Sequence, residues 1–127
     1  MKGTDREVFI VDPESFDKLL ESNDTVVLDL RTGWCGPCRN FDPIFAETAA
    51  KNADAAFAAV DIDVHPELGA AFDVQSVPKI AVLRAGALVF AYEGALSAAA
   101  LDDVIQQVRA LDVEEIRRVI AAGSDQE

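Results

Sequence analysis

The sequence is poor in the residues from which disulfide frameworks and metal centres are built. Its 127 residues include two cysteines and one histidine. A closed zinc site needs four ligands, which these three residues cannot supply within one chain. Seven glycines and five prolines are too few for a disordered or low-complexity chain. These counts exclude a disulfide-rich scaffold and disfavour a metal site, so no metal ligands are predicted.

Long apolar segments are also missing. No stretch approaches the roughly 18 consecutive apolar residues that a membrane-spanning helix requires. The N-terminal sequence MKGTDREVFIVDPES lacks the apolar centre of a secretory signal peptide. We therefore expect no membrane association and a cytoplasmic location. In such a reducing compartment, a stable structural disulfide is the least expected use of two cysteines.

Positive charge is scarce. Eleven lysines and arginines stand against 23 acidic residues, which gives a formal net charge of −12. A surface with this charge repels the phosphate backbone, so we expect no binding to nucleic acid.

Apolar residues, by contrast, make up half of the chain, which is enough for a buried core at this length. Their periodicity predicts helices after Asp12-Pro13, after the cysteine pair, at 65–72 and around Leu101, and strands at residues 7–11, 25–30, 55–63, 79–84 and 88–92. This order predicts an α/β fold, with a central mixed sheet of about five strands and helices on both faces. We expect a single domain over residues 1–127, with its core at about 7–110.

The C-terminal segment follows that core as a helical extension over about residues 112–122. Asp112 and Glu115 have the spacing of a capping box, and Val113, Ile116 and Ile120 continue an apolar stripe. These residues predict a short helix over 113–122 and a frayed tail over 123–127. The stripe either packs on its own domain or forms a weak self-association surface.

Both cysteines lie in RTGWCGPCRNF, residues 31–41. Cys35 and Cys38 follow a predicted buried strand and begin a predicted helix, and three uses are open to them: part of a metal site, a structural staple, or an electron-carrying thiol pair. Free N–H groups and the positive dipole end at a helix N-terminus stabilise a thiolate on Cys35. Because ligand count and compartment disfavour the other uses, the thiol pair is the favoured interpretation.

The chain resembles the thioredoxin family over roughly residues 7–110. The resemblance is carried by WCGPC at 34–38, the preceding strand VVLDL, Pro43 in the following helix, SVP at 76–78 and GALS at 94–97. It implies the thioredoxin fold and a dithiol–disulfide oxidoreductase that reduces disulfide-containing proteins. It also implies re-reduction by a thioredoxin reductase, no cofactor in the chain itself, and a monomer.

The resemblance also implies roles for individual residues. Cys35 would be the exposed nucleophile, Cys38 the more buried resolving cysteine, and Asp29 a buried carboxyl that relays a proton. A lone carboxyl in an apolar strand should have a raised pKa, which agrees with that role, although a purely structural carboxyl is the alternative. Pro78 would be a cis-proline facing the cysteines. The expected substrate-binding residues are Trp34, Gly36, Pro37, Val77, Pro78 and Gly94.

Three residues depart from the family pattern. Arg31 replaces the usual aromatic residue, Lys79 a threonine, and Ala59 a lysine near the buried aspartate. Without that lysine the pKa of Asp29 should rise further. Arg31 and Lys79 could bring positive charge to the active-site face and tune the thiolate, or they could simply be solvent-exposed.

These departures keep two alternatives open. One is a specialised thioredoxin-like protein with a dedicated substrate. The other is a peptide-binding or chaperone-like module on the same fold, against which both intact cysteines argue.

Overall fold

The computed structural model describes the backbone of residues 8–125 and the side chains of residues 8–123. Strands and helices alternate from β1 to β4, and the hairpin partner β5 and two helices complete the order. The elements are β1 Phe9–Ile10, α1 Pro13–Ser22, β2 Thr25–Arg31, α2 Gly36–Lys51, β3 Ala56–Asp61, α3 Pro66–Ala71, β4 Lys79–Arg84, β5 Ala87–Glu93, α4 Ala98–Arg109 and α5 Val113–Asp125. No helix within these residues has the length and apolarity of a membrane span.

The five strands form one mixed sheet in the order β1-β3-β2-β4-β5. β1, β3 and β2 are parallel, whereas β4 runs antiparallel to both β2 and β5. The predicted mixed α/β sheet is therefore confirmed. Because β2 is the central strand, its C-terminal end delivers the cysteines to the middle of one sheet edge.

Helices cover both faces of this sheet, as the continuous apolar pattern of β2 predicts. On one face, Leu28 and Leu30 pack with Phe16 of α1 and Leu68 of α3. On the other face, Val27 joins a cluster that α2 and α4 complete; its largest members are Phe41, Phe45, Phe57, Ile80, Leu101 and Ile105. α2 runs without interruption through Pro43. The side chains of β2 thus alternate between two separate cores.

Several strand boundaries differ from the predicted ones. β1 is limited to Phe9–Ile10, and residue 7 of the predicted strand lies outside the described residues. β3 ends at Asp61, because the Asp61 carboxylate accepts a hydrogen bond from the Asp63 backbone N–H at 2.8 Å and starts a turn. These local turns have little effect on apolar periodicity, which explains the small errors.

The C-terminal helix extends further than predicted. α5 continues through Gly123 to Asp125, so the predicted end at residue 122 is wrong; residues 126–127 of the predicted frayed tail lie outside the described residues. A glycine in an exposed last turn weakens a helix by only about 1 kcal/mol relative to alanine, so it need not end it. Val113 and Ile116 are partly buried, whereas Val119 and Ile120 are exposed.

Arg84 connects the α4–α5 junction to the sheet. Its guanidinium donates hydrogen bonds to Thr25 Oγ1 at 2.7 Å and to the carbonyls of Arg109 and Leu111 at 3.1–3.2 Å. The junction of the last two helices is therefore attached to the C-terminal end of β4.

Candidate active site

Cys35 and Cys38 lie at the junction of β2 and α2 and are joined by a disulfide. Cys35 is the N-cap residue of α2, and its Sγ accepts a hydrogen bond from the Cys38 backbone N–H at 3.0 Å. Gly36 and Pro37 occupy the first helical positions, where the missing N–H of proline costs nothing. The chain thus places a sulfur atom at the positive end of a 16-residue helix.

The expected exposure of Cys35 is wrong for the disulfide form, because only 2% of its surface is accessible. Cys38 is completely buried, as expected. The difference between them is access to a groove of about 530 Å³, which Cys35 lines and Cys38 does not. This active-site groove is lined by Thr32, Trp34, Cys35, Pro37, Ile62, Asp63, Val74, Gln75, Ser76 and Val77. The small exposed part of Cys35 is thus reached through the groove.

One wall of the groove carries Trp34, the most exposed of the large apolar residues beside the cysteines. Its indole N–H donates a hydrogen bond to Asp63 Oδ2 at 2.9 Å. Sequence reasoning missed Asp63, although it lies just beyond the carboxyl end of β3. In open α/β sheets ligand sites form at this edge, so its position was a usable signal.

The opposite wall is the segment before β4, which ends in a cis Val77–Pro78 peptide bond. Val77 lines the groove, whereas Pro78 is buried behind it. The backbone N–H of Gly94 donates to the Pro78 carbonyl at 2.7 Å, so these two residues lie side by side. Gly94 has a φ of 125°, a conformation that favours glycine.

Three of the six expected substrate-binding residues therefore do not line the groove: Pro78 is buried behind Val77, and Gly36 and Gly94 lie outside the lining. Gly94 reaches the groove only through Pro78, and Gly36 faces open space at the start of α2, where an added Cβ would meet nothing within 4 Å. Trp34, Pro37 and Val77 line the groove directly.

Asp29 is buried in the sheet on the face that α2 covers. It is paired with Ala59 of β3 and Ile80 of β4, and its Oδ1 accepts no hydrogen bond from the described residues. Burial raises the pKa of the Asp29 carboxyl to about 7, while the nearby Arg31 guanidinium lowers it and the Asp42 carboxylate raises it. A carboxyl with this pKa changes its protonation state near neutral pH.

The two unusual cations are both engaged by other groups. Arg31 Nη1 lies 3.1 Å from Asp42 Oδ1. The Lys79 ammonium donates hydrogen bonds to the carbonyls of Phe72 and Asp73 at 2.8 and 3.2 Å and lies 3.7 Å from Glu93 Oε2. Neither cation is a freely solvated surface charge, and the positive charge of Lys79 is directed at the beginning of the segment that forms the opposite groove wall.

In the described part of the chain, no three histidine, cysteine or carboxylate side chains are grouped so as to hold a metal ion. A disulfide at a helix N-terminus, opposite a cis-proline segment and above a buried carboxyl, defines a dithiol–disulfide oxidoreductase.

Residues 7–107 match the thioredoxin family model, and the chain belongs to the thioredoxin family. It is 43% identical to putative thioredoxin 2 of Streptomyces coelicolor over 108 residues, which cover 85% of this chain and 81% of that protein. A mutant thioredoxin from Halobacterium salinarum superposes with a TM-score of 0.77 at 32% identity, covering 84% of this chain and 95% of that one. Plasmodium falciparum thioredoxin superposes with a TM-score of 0.72 at 29% identity, covering 78% of this chain and 97% of that one. The predicted fold and thiol–disulfide oxidoreductase activity are confirmed.

Proposed function

We propose that this chain reduces protein disulfides with Cys35 as nucleophile, Cys38 as resolving cysteine and Asp29 as proton relay. The observation that carries the proposal is the disulfide at the N-terminus of α2, of which only Cys35 faces the active-site groove. A thioredoxin reductase returns the pair to the dithiol form. Because the cycle needs that form, the proposed location is the reducing cytoplasm. One chain carries both cysteines and the groove, so the proposed functional unit is a monomer.

In the first step, the Cys35 thiolate attacks one sulfur of a substrate disulfide. A bond forms between Cys35 Sγ and that sulfur while the substrate S–S bond breaks, and the second substrate sulfur leaves as a thiolate that takes up a proton. The Cys38 N–H, directed at Cys35 Sγ, and the α2 dipole both favour the attacking thiolate.

In the second step, the Cys38 thiol loses its proton and attacks Cys35 Sγ. The mixed disulfide breaks, the Cys35–Cys38 bond forms, and the second substrate sulfur leaves as a thiolate that takes up a proton. Asp29 and Cys38 are both in the buried layer between β2 and α2, and a carboxyl with a pKa of about 7 can accept the proton there. Overall, two electrons and two protons pass to the substrate.

The substrate peptide lies in the active-site groove. Trp34, Pro37 and Val77 supply its apolar surface. Pro78 and Gly94 support the wall behind Val77, and Gly36 leaves the approach to Cys35 free of side-chain bulk. An extended peptide pairs with the backbone of Val77, a mode of binding that accepts many side chains. This arrangement favours a general reductant over a dedicated one.

The test is NADPH consumption by this chain with a thioredoxin reductase and insulin. We expect turnover that is lost in Cys35→Ser and in Cys38→Ser. No insulin turnover with the reductase, although dithiothreitol reduces the Cys35–Cys38 disulfide, would favour the dedicated-substrate alternative. Insulin binding with no reduction under either condition would favour the peptide-binding module and overturn the proposal.

A further inference from the structure

The groove wall opposite Trp34 is formed by an irregular segment between α3 and β4, which we call the groove loop and define as residues 72–77. Two local backbone hydrogen bonds hold its first part: the Asp73 N–H donates to the Ala70 carbonyl, and the Val74 N–H donates to the Gly69 carbonyl. Asp73 has a φ of 51°, in the left-handed region that non-glycine residues seldom adopt. A conformation of this kind persists when surrounding contacts hold it.

Lys79 supplies contacts to the beginning of the groove loop. It is the first residue of β4, and its ammonium donates hydrogen bonds to the Phe72 and Asp73 carbonyls at 2.8 and 3.2 Å. Hydrogen bonds from a charged donor are stronger than those between neutral groups. The carbonyl of the left-handed residue is therefore bound by a cation from the adjacent strand.

Glu93 supplies contacts to the end of the same loop. Its Oε2 accepts a hydrogen bond from the Gln75 backbone N–H at 2.7 Å, and its Oε1 lies 3.4 Å from Ser76 Oγ. Both Gln75 and Ser76 line the active-site groove. Glu93 is the last residue of β5, so the loop is bound from two strands.

Lys79 and Glu93 are direct partners in the β4–β5 ladder, and their charged groups lie 3.7 Å apart. Their side chains are 13% and 30% exposed, compared with 72% and 81% for the surface pair Lys18 and Glu14. Removing one partner would leave the other largely shielded from water, which is costly. The pair and its bonds to the loop thus form one connected unit.

We propose that Lys79 and Glu93 are positioning residues that hold the groove loop at the distance from Cys35 that a substrate peptide requires. The proposal rests on the proposed function, because the groove must be the peptide site. Neither residue lines the groove, so they act through the loop. Their loss should weaken peptide docking and leave the reactivity of the thiols intact.

The kinetic test uses the pre-reduced chain in single turnover with two oxidants. Insulin needs the groove, whereas the small dithiobis(nitrobenzoate) needs only an accessible thiolate. For Lys79→Thr we expect the insulin concentration at half-maximal rate to rise about tenfold, the ratio that corresponds to one charge-assisted hydrogen bond. The limiting rate and the rate with the small disulfide should stay within about twofold. Lys18→Thr is the matched control and should behave as wild type.

The exchanged variant Lys79→Glu with Glu93→Lys separates loop positioning from a simple ion pair. Exchange preserves the opposite charges, but it places a carboxylate against the Phe72 and Asp73 carbonyls and an ammonium against the Gln75 N–H. We therefore expect no rescue of insulin binding, whereas Lys79→Arg should retain most of it. Full rescue by the exchange would overturn the proposal.

Amide hydrogen exchange gives a readout that does not depend on activity. In Glu93→Gln, which keeps an acceptor at the same place, Gln75 should exchange faster by about tenfold because it loses a charged acceptor. Val74, bonded to Gly69, is the internal control for folding. Unchanged exchange at Gln75 with unchanged insulin kinetics would overturn the positioning role and leave the proposed function standing. A wild-type chain inactive with both oxidants would instead overturn the proposed function.

Discussion

Asp29 and Arg31 project from the same face of β2, two residues apart, and the Arg31 guanidinium lowers the pKa that burial raises in the Asp29 carboxyl. The residue paired with Asp29 on β3 is Ala59, which carries no charge. Where the family resemblance leads one to expect a lysine on the neighbouring strand, this chain has its cation on the same strand as the carboxyl. Arg31 is in turn paired with Asp42 of α2 at 3.1 Å.

Neutralising Arg31 should raise the pKa of Asp29, because the cation that lowers it is removed. Neutralising Asp42 should move the same pKa downward, because a carboxylate that raises it is removed. Carboxyl ¹³C NMR titration of Asp29 in Arg31→Gln and Asp42→Asn measures both shifts. Arg31→Lys keeps the charge and is the control. Shifts of the same sign in the two variants would contradict this arrangement.

Two substitutions of Arg31 also test the thiol. If the charge of Arg31 stabilises the Cys35 thiolate, the pKa of Cys35 should rise in Arg31→Gln and in Arg31→Trp. Ultraviolet absorbance of the thiolate during titration of the reduced chain measures it. An unchanged Cys35 pKa would confine the influence of Arg31 to Asp29.

The stability of the disulfide form should fall between about pH 4 and pH 7. The folded-state pKa of Asp29, about 7, lies above its usual 3.8, so the unfolded chain releases this proton first. The stabilisation is complete below pH 3.8 and is lost as the pH rises through 7. The difference of about three pH units between the folded-state and unfolded-state pKa corresponds to about 4 kcal/mol in the free energy of unfolding.

Asp29→Asn removes this titration. Urea unfolding of both proteins at a series of pH values gives the difference in the free energy of unfolding. It should grow in favour of the variant by about 4 kcal/mol between pH 4 and pH 8. A difference that does not depend on pH would show that Asp29 is ionised in the folded chain throughout.

Cys38→Ser should accumulate a mixed disulfide with substrate, because the attack by Cys35 is retained and the resolving thiol is removed. Mass spectrometry under non-reducing conditions should detect one insulin chain bound to the variant. Cys35→Ser is the matched control and should form no such adduct, since Cys38 is fully buried and does not line the groove. Equal adduct formation by both variants would contradict the assigned roles.

Arg84→Met should destabilise the fold by about 1–3 kcal/mol, because it leaves the Arg109 and Leu111 carbonyls without their donor. The methionine retains the aliphatic volume, so the loss reports the hydrogen bonds. Lys18→Met, which removes an exposed pair on α1, is the control and should change stability by less than about 0.5 kcal/mol. Equal losses in both variants would argue against a structural role for Arg84.

The parts of the site that could be predicted from the sequence depend on short segments. Cys35, Cys38 and the helix they begin lie within a few residues of one another, and the buried Asp29 follows from its apolar strand. The contact between Trp34 and Asp63 and the loop contacts of Glu93 join residues 29 and 18 positions apart, and spacing does not encode them.

Lys79 is the clearest example of a contact that the sequence does not predict. Its residue type and its position after Pro78 indicated a charge near the active site, but not the direction of that charge. The direction depends on the β4–β5 register and on the left-handed turn at Asp73, and both are properties of the folded chain. The groove that Cys35 lines is likewise formed by three separate segments, which only the folded chain brings together.

Cys35 is both a redox-active residue and the N-cap of α2, so each catalytic cycle changes the strength of the hydrogen bond that caps the helix. A thiolate accepts the Cys38 N–H more strongly than a disulfide sulfur does. By a closed thermodynamic cycle, the difference in unfolding free energy that this creates between the two forms is also a displacement of the reduction potential, about 30 mV for each 1.4 kcal/mol. The reduction potential of the cysteine pair can therefore be adjusted by substitutions in the first turn of α2, without changing either sulfur.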